Sequence, residues 1–298
     1  MKDLKSKFIG SLIGTGIGDS LGAGIEGFPG HREVREIGPR YTDDTAMMIG
    51  VAESLIENKG FDGEYMAKKF VENYYTEPWR GYGFGPPRIF DLIRSGVSWE
   101  EAAKERYPGG SFGNGSAMRI APVGIFCYDD PVQLKEMAYG SSRITHCHRL
   151  GMEGAALQAR AVALAVREDP LFLEKLIDFT EVGLYKRKLK SVKRLWSRKE
   201  EREEIVRELG NGIEGFNSVP AAIFSFSANK SFEEALVYAV SLGGDTDTIG
   251  AMTGAIAGAY WGMEGIPGGW KNKLENKKYI EELAGKLWQI KTEGGRED

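Results

Sequence analysis

The chain has 298 residues, a formal net charge of −4 and only two cysteines. This length is enough for one large domain with a full hydrophobic core. The mildly negative charge favours a protein or small-molecule partner over nucleic acid. Two cysteines are too few for a disulfide framework or a cysteine zinc site, which is typical of a cytoplasmic protein.

The N-terminal segment is apolar, but it lacks the pattern of a signal sequence. Asp19 and several glycines interrupt the stretch from Phe8 to Ile25, whereas the core of a signal peptide is uninterrupted. The longest uncharged stretch, Thr248 to Met263, is shorter than the roughly 20 apolar residues that cross a membrane. We therefore predict buried helices here, no membrane association and a cytoplasmic location.

Apolar residues recur at helical spacing along most of the chain, and alternating strand patterns are nearly absent. Because no linker divides the chain, we predict a single all-α domain over residues 1–298. The clearest predicted helices are Ala46 to Asn58, Gly63 to Tyr75, Pro131 to Ser141, Gly151 to Arg167, Leu171 to Val182 and Tyr279 to Ile290. Glycine and proline gather in the connectors Phe28 to Tyr41, Trp79 to Pro87 and Pro108 to Gly115.

Two sets of glycines recur at every fourth position, so each set lines one face of a helix. Glycine costs a helix about 1 kcal/mol relative to alanine, and close backbone packing is the simplest compensation. We predict that the two helices are in contact, which would bring Asp19 and Glu26 near Asp245. The two glycine ladders are Gly10, Gly14, Gly18 and Gly22, and Gly250, Gly254, Gly258 and Gly262.

Two short acidic runs each open a helix-like segment. They are Thr42-Asp43-Asp44-Thr45 and Gly243-Gly244-Asp245-Thr246-Asp247-Thr248. Threonine and aspartate are good helix caps, so capping alone is one interpretation. However, two acids and two threonines at each helix start exceed what capping requires. Because these side chains offer only hard oxygen donors, which suit Mg²⁺ or Mn²⁺, we predict a metal centre.

Two further motifs suggest other chemistry, but neither has the expected context. Gly14-Thr15-Gly16-Ile17-Gly18 resembles a dinucleotide fingerprint, which must follow a strand and enter a βαβ unit. Asp245-Thr246-Asp247 resembles the nucleophile motif of haloacid-dehalogenase-like phosphatases, which needs an apolar strand directly before it. A metal-dependent phosphatase using Asp245 and Asp247 is the alternative function, together with a catalytically silent helical scaffold.

The segment from Ser111 to Arg119 is a glycine-rich loop that precedes an apolar stretch. Its exposed amides and an incoming helix N-terminus predict a phosphate cradle, to which Asn114 and Ser116 add hydrogen-bonding groups. A tight turn with Ser116 as a helix cap is the alternative. His146 and His148 lack a fitting fourth ligand for zinc, so we interpret them as helix-end residues or substrate contacts.

The segment from Lys186 to Glu208 is strongly charged, basic at first and acidic later. Its apolar residues recur at helical spacing and predict a solvated helix with one apolar stripe. A docking surface for a partner is the alternative interpretation, and the sequence alone assigns the segment no function. The stripe consists of Leu189, Val192, Leu195 and Trp196.

Taken together, these segments resemble the ADP-ribosylglycohydrolase family over roughly Lys7 to Gly262. Their joint occurrence is more specific than any single motif. The resemblance implies an all-helical hydrolase with two Mg²⁺ or Mn²⁺ ions. It would cleave the bond at the anomeric carbon of an ADP-ribosyl group on a modified protein or a small molecule. The matching segments are Gly18 to Glu26, Tyr41 to Thr45, Gly113 to Pro122, Thr145-His146 and Gly243 to Thr248.

The same resemblance assigns roles to individual residues. Glu26 matches an acidic residue at the cleft, although Gly24 stands where many members carry proline. We expect Glu26 to be the general base, with Asp44 or Asp247 assisting. The substrate pocket would contain Asn114, Gly115, Ser116, Met118 and His146. The metal ligands would be Thr42, Asp43, Asp44, Asp245, Asp247 and Thr248, and because all of them are present, an active enzyme is expected.

Overall fold

The computed structural model describes residues 3–28, 30–198 and 201–293. Apart from one isolated bridge between Gly113 and Glu214, these residues contain no β-structure, and the predicted all-α fold is confirmed. The helices are α1 (Leu4–Gly22), α2 (Asp43–Asn58), α3 (Gly63–Thr76), α4 (Gly85–Arg94), α5 (Trp99–Arg106), α6 (Ala121–Phe126), α7 (Pro131–Arg143), α8 (Arg149–Val166), α9 (Phe172–Phe179), α10 (Gly183–Trp196), α11 (Arg202–Leu209), α12 (Gly215–Ser227), α13 (Phe232–Ser241), α14 (Thr246–Trp261), α15 (Gly268–Lys273) and α16 (Lys277–Glu293).

The helix predicted from Leu171 to Val182 is shorter in the structure, because Thr180 ends it. Helix α9 stops at Phe179, and the backbone of Thr180 is extended. The Thr180 hydroxyl accepts a hydrogen bond from the Val182 amide at 3.1 Å. Threonine often offers the backbone such a local alternative to helical hydrogen bonds. Helix α10 then begins at Gly183.

The charged segment from Lys186 to Glu208 contains two helices, so the prediction of one helix is wrong. Helix α10 ends at Trp196 and α11 begins at Arg202. Lys199 and Glu200, between them, lie outside the described residues. Trp196 is 54% exposed because, as the last helical residue, it borders a surface groove and not the core. The rest of the predicted stripe is buried, namely Leu189, Val192 and Leu195.

Helices α1 and α14 pack backbone to backbone at the centre of the domain. A Cβ atom added at Gly14 would lie 2.1 Å from the carbonyl oxygen of Gly254. One added at Gly258 would lie 1.8 Å from the carbonyl oxygen of Gly10. No side chain fits at such distances, so glycine is required on both faces. The predicted contact between the glycine ladders is confirmed.

These two helices are buried on nearly all sides. The segment Leu4–Ile25 is long and apolar enough to cross a membrane, with a mean hydropathy of 1.2. However, 78% of the 18-residue apolar stretch within this segment is buried inside the domain, as expected for the core helix of a folded protein. Helix α14 is covered by α8, α12 and α13, and it contains most of the predicted buried stretch from Thr248 to Met263.

The two central helices run antiparallel, so the end of α1 meets the start of α14. The Thr246 hydroxyl donates a hydrogen bond to the Gly22 carbonyl oxygen at 2.9 Å. The backbone amide of Gly27 also donates to the carbonyl oxygen of Gly244 at 3.1 Å. The glycine contact therefore brings Glu26 to the second acidic run, as predicted.

The helical architecture removes the context that two alternative interpretations require. Gly14-Thr15-Gly16-Ile17-Gly18 lies inside α1 and follows no strand, so it is not a dinucleotide fingerprint. Helix α13, and not an apolar strand, precedes Asp245. The phosphatase interpretation is therefore not supported, because its nucleophile must stand at the end of a strand.

Replacing Gly254 with alanine is expected to destabilise the protein, because the added methyl group must push two packed backbones apart. We expect the free energy of unfolding to fall by about 1–3 kcal/mol or more. The matched control is Gly285→Ala in α16, where an added Cβ meets nothing within 4 Å. That change should raise stability by about 0.5–1 kcal/mol. Urea unfolding followed by circular dichroism measures both, and equal stability of the two variants would contradict the packing argument.

Candidate functional site

A cleft of about 330 Å³ opens where the first turns of α2 and α14 meet the end of α1. All of the predicted site residues except Thr42 and Ser116 line this cleft. The predicted residues that line it are Glu26, Asp43, Asp44, Asn114, Gly115, Met118, His146, Asp245, Asp247 and Thr248. Residues distant in sequence are thus brought together, while their roles remain predictions.

Ser116 belongs to the glycine-rich loop but does not line the cleft. Its side chain is fully buried, and its hydroxyl donates to the Gly151 carbonyl oxygen at 3.3 Å. The alternative interpretation of Ser116 as a helix cap is wrong, because the next residues form turns and α6 begins only at Ala121. Ser116 therefore supports the loop from its buried side.

Thr42 serves as the N-cap of α2. Its side chain accepts a hydrogen bond from the Asp44 amide at 3.4 Å. Asp43 and Asp44 occupy the first turn, where the positive end of the helix dipole favours carboxylates. The capping interpretation is thus correct for Thr42, and it leaves both aspartate side chains at the cleft.

Asp19 anchors the start of α2 from the neighbouring helix α1. Its carboxylate is fully buried and accepts hydrogen bonds from the Thr42 amide at 3.0 Å and the Thr45 amide at 3.1 Å. The Thr45 hydroxyl donates to the same carboxylate at 2.5 Å. Asp19 therefore fixes the direction in which Asp43 and Asp44 project.

Asn114 orients the second acidic run, as Asp19 orients the first. Asp245 is the N-cap residue of α14, and Asp247 lies in its first turn. The side-chain amide of Asn114 donates to Asp245 Oδ2 at 2.5 Å and to Ser218 Oγ at 3.1 Å. Asn114 thus orients Asp245, a contact that the sequence analysis did not foresee.

His146 packs against the glycine-rich loop. A Cβ atom added at Gly115 would lie 2.8 Å from the imidazole ring, so glycine allows this contact. His146 Nδ1 lies 2.7 Å from the Thr145 hydroxyl. Burial, together with the nearby Arg119 charge, lowers the pKa of His146 to about 3, so the ring is neutral. His148, by contrast, caps α8 through the Leu150 amide at 3.1 Å.

Arg119 places a buried positive charge behind the acidic wall. Its guanidinium donates to the Ser141 carbonyl oxygen at 2.8 Å and lies 4.5 Å from the centre of the Phe70 ring. Burial lowers the pKa of Arg119 to about 9, while the Asp43 charge acts in the opposite direction. The sequence placed Arg119 at the end of the loop, but nothing in the pattern indicated that its charge would be buried.

The cleft crowds acidic side chains together. The carboxylates of Glu26, Asp245 and Asp247 approach within 4.8 Å of one another. Burial and the Asp19 charge raise the pKa of Asp43 to about 8. Burial and the Asp247 charge raise the pKa of Asp44 well above its usual value. Among the described residues, no lysine or arginine forms a salt bridge with these acids.

The acidic wall fits a divalent metal ion. Asp44 Oδ1 is buried and has no hydrogen-bond partner among the described residues. Such an oxygen is costly to bury unless a cation or a donor faces it. Carboxylate and hydroxyl oxygens are the ligands that Mg²⁺ and Mn²⁺ prefer. The residues present therefore suit the predicted ions.

Other residues that line the cleft were not singled out by the sequence patterns. Gly81, Gly83 and Phe84 from one connector line the cleft, as do Tyr107 and Ile213. Phe84 is 94% exposed. The glycine content of the connector was the only sequence signal that it could belong to a site. Its position in space depends on how α3 and α4 pack.

Comparison with known proteins shows similarity along the whole chain. The family model described as ADP-ribosylglycohydrolase matches residues 1–296. ADP-ribosylhydrolase ARH3 of Mus musculus is 36% identical, over 96% of this chain and 92% of that protein. ADP-ribosylarginine hydrolase Tri1 of Pseudomonas putida is 26% identical, over 94% and 77%. A solved chain of an ADP-ribosylglycohydrolase-related protein complex superposes with a TM-score of 0.75 at 28% identity, over 98% and 100%.

The buried acids should make the metal-free protein less stable at higher pH. The raised pKa of Asp43, about 8, means that the folded state holds a proton that the unfolded chain releases. Stability therefore falls as pH rises from 5 to 8. We compare the free energies of unfolding of Asp43→Asn and the wild type in EDTA. The difference should shift in favour of the variant by roughly 2–4 kcal/mol between pH 5 and pH 8.

Urea unfolding at a series of pH values measures this difference. The matched control is Glu105→Gln, which changes an exposed acid on α5. The free energy of unfolding of this control should differ from that of the wild type by the same amount at every pH. If the difference in free energy of unfolding between Asp43→Asn and the wild type did not change with pH, the cleft would not raise the pKa of Asp43.

Proposed function

The chain belongs to the ADP-ribosylglycohydrolase family of enzymes, and from this we propose that it releases ADP-ribose by hydrolysing the bond at the anomeric carbon of an ADP-ribosyl group. One observation carries the proposal. Carboxylates from two helix N-termini and from the segment that follows α1 line a single cleft, beside a glycine-rich loop and a neutral histidine. The names of the relatives support the substrate class.

We assign two Mg²⁺ or Mn²⁺ ions to the acidic wall. The support is the set of oxygen donors, the buried Asp44 Oδ1 without a partner and the crowding of the acids. When bound, the ions would offset the carboxylate charges and stabilise negative charge that develops as the glycosidic bond breaks. The ligands would be Thr42, Asp43, Asp44, Asp245, Asp247 and Thr248.

Asp19 and Asn114 would prepare this wall before substrate arrives. Asp19 fixes the first turn of α2, and Asn114 fixes Asp245 at 2.5 Å. Preorganised ligands lose little freedom on binding, which favours both affinity and orientation. Both residues are therefore positioning residues, and Asn114 would in addition face the substrate.

Glu26 is our candidate for the general base. It is the exposed member of the acidic group, so water can reach it, and it lies beside Asp245 and Asp247. Burial of part of the side chain, with the Asp245 charge, raises the pKa of Glu26. A carboxylate with a raised pKa is a better proton acceptor near neutral pH. Asp44 and Asp247 are the candidates for assisting Glu26 as the general base.

The glycine-rich loop would hold the distal ribose and the phosphates. Asn114, Gly115 and Met118 line the cleft, and the Gly115 backbone lies against the imidazole of His146. A neutral imidazole can donate or accept a hydrogen bond without adding charge. Ser116 would act indirectly, through its hydrogen bond to the Gly151 carbonyl oxygen.

We propose that the substrate is an ADP-ribosylated protein or a small molecule that contains ADP-ribose. The relatives with similar sequences are named for ADP-ribosylhydrolase and ADP-ribosylarginine hydrolase activities. The chemical nature of the acceptor would depend on the side of the cleft near Glu26. A cytoplasmic location remains our expectation from the cysteine content.

Free ADP-ribose should appear when the protein is incubated with a panel of ADP-ribosylated substrates and Mg²⁺ or Mn²⁺. Mass spectrometry of the products measures this release, and EDTA should abolish it. Asp245→Asn should lose calorimetric metal binding together with activity, because Asp245 is an assigned ligand. Inorganic phosphate from a phosphomonoester would support a phosphatase instead. Metal binding without either product would indicate a silent scaffold.

Glu26→Gln should lower kcat by at least about 100-fold, since a positioned general base typically contributes that much. Because Glu26 is not an assigned ligand, calorimetry should still show metal binding by this variant. The exposed Glu105→Gln serves as the matched control and should keep wild-type turnover. Full turnover of Glu26→Gln would reject the base assignment.

A further inference from the structure

Arg80 is a buried cation beside the cleft to which the proposed function gives no role. It lies between α3 and α4, and its side chain is 2% exposed. The next residue, Gly81, lines the cleft, whereas the side chain of Arg80 does not. A buried guanidinium is costly to remove from water unless oxygen acceptors surround it. The partners of Arg80 therefore decide which parts of the protein it holds together.

Arg80 donates five hydrogen bonds to three different segments. Its Nε and Nη2 donate to the Glu77 carboxylate, just after α3, at 2.9 and 3.1 Å. Its Nη1 and Nη2 donate to the Glu275 carboxylate, just before α16, at 2.6 and 3.2 Å. Nη1 also donates to the carbonyl oxygen of Tyr41 at 3.0 Å. Only the rigid fork of arginine can serve acceptors in so many directions, because the donors of lysine share one nitrogen.

Tyr41 directly precedes the first acidic run, and this network holds it at every polar group. Its amide donates to the Glu275 carboxylate at 3.3 Å, while Arg80 binds its carbonyl oxygen. Its hydroxyl accepts a hydrogen bond from the side-chain amide of Asn276 at 2.8 Å. The guanidinium of Arg80 lies 4.0 Å from the centre of its ring. The position of Tyr41 is therefore set by the residues that precede α16.

The entry of the chain into α2 is thus fixed from two sides. Asp19, on α1, accepts a hydrogen bond from the Thr42 amide at 3.0 Å, and Glu275 binds the amide before it. Two consecutive amides held by carboxylates from distant segments leave the start of α2 little freedom. Asp43 and Asp44 therefore project from a helix turn that both ends of the chain help to place.

The same arginine anchors the connector that lines the cleft. Gly81 has a φ angle of +87°, which glycine adopts without strain. It stands between Arg80 and Tyr82, whose ring packs edge-on against Tyr74 at 5.0 Å and Phe90 at 6.2 Å. The side chains on both sides of Gly81 thus hold its backbone at the cleft.

We propose that Arg80 and Glu275 are positioning residues, whose ion pair holds the start of the first acidic run and the connector at Gly81 in one fixed arrangement. Neither side chain lines the cleft, so both would act through the residues they bind. Replacing a residue that orients metal ligands from behind typically costs roughly 10- to 100-fold in metal affinity or activity. The inference rests on the proposed metal-dependent hydrolysis. It extends the machinery to a C-terminal residue outside the segment from Lys7 to Gly262.

A contribution to stability alone gives a weak account of this network. Replacing a buried ion pair by apolar residues is often neutral or even stabilising. Here, however, both members of the pair bind the backbone of the residue next to the first acidic run. The arginine is also adjacent in sequence to a residue that lines the cleft. These two links to the cleft favour a positioning role.

Calorimetric titration with Mn²⁺ alone tests the inference without any substrate. Arg80→Lys keeps the positive charge but loses the forked geometry, and Glu275→Gln keeps the shape but loses the charge. Each should weaken Mn²⁺ binding by about tenfold or more. The double variant should lose little more than the weaker single variant, because both substitutions break the same ion pair.

Matched controls make the same two substitutions in ion pairs away from the cleft. Arg194→Lys changes an arginine of α10 that pairs with Glu208 at 2.8 Å. Glu281→Gln changes an acid of α16 that pairs with Lys277 at 3.7 Å. Both variants should bind Mn²⁺ as the wild type does.

Val192→Ala separates positioning from a general loss of stability. Val192 is fully buried on α10 and does not line the cleft. This substitution should lower the free energy of unfolding in urea and leave the Mn²⁺ affinity unchanged. If Val192→Ala weakened Mn²⁺ binding as much as Arg80→Lys did, at the same loss of stability, the positioning role would be rejected. Wild-type Mn²⁺ affinity in both Arg80→Lys and Glu275→Gln would also overturn it.

Release of ADP-ribose distinguishes a failure of this inference from a failure of the hydrolase proposal. At saturating Mn²⁺, Arg80→Lys should raise KM more than it lowers kcat, because the connector lines the cleft while Glu26 is left in place. If the wild type binds Mn²⁺ but releases no ADP-ribose, the hydrolase proposal fails and the positioning result stands. If the wild type is active and neither variant changes Mn²⁺ affinity or KM, only the positioning inference fails. If the wild type binds no Mn²⁺, the metal assignment and this inference fail together.

Discussion

The close contact between the backbones of α1 and α14 determines the rest of the structure. A Cβ atom at Gly18 would lie 2.0 Å from the Gly250 carbonyl oxygen, so the two helices can approach this closely only through glycine. This contact sets their antiparallel register. A shift by one rung of the glycine ladders would move one helix by about 6 Å. Glu26 and Asp245 would then no longer meet, and the acidic wall would be lost.

The acidic wall shows how one set of residues satisfies two physical requirements. The first turn of α2 needs a polar group to cap its amides, and Thr42 supplies it. Asp245 occupies the N-cap position of α14, but its side chain makes no capping hydrogen bond and accepts one from Asn114. The helix dipoles favour negative charge there, yet burial and mutual repulsion raise the pKa values of Asp43, Asp44 and Asp247. Capping and cation binding are therefore compatible, and the repulsion indicates a site built for positive charge.

The same central helix connects two surfaces of different character. Its start carries Asp245 and Asp247 at the acidic cleft, and its end carries Tyr260 and Trp261 at an aromatic surface groove. The first surface is lined by five carboxylates and is the site of our proposed chemistry. The second is aromatic, with Trp196 exposed at its edge. The two surfaces therefore lie at opposite ends of one buried helix.

The sequence was sufficient to predict the helical class, the contact between the glycine ladders and ten of the residues that line the cleft. It could do so because glycine spacing, capping residues and paired acids act locally or at a fixed helical period. The tertiary structure sets which side chains face the cleft: Ser116 turns away, and Asn114 holds Asp245. It also decided that Trp196 borders a groove. These outcomes depend on packing between segments far apart in the chain, which no local pattern encodes.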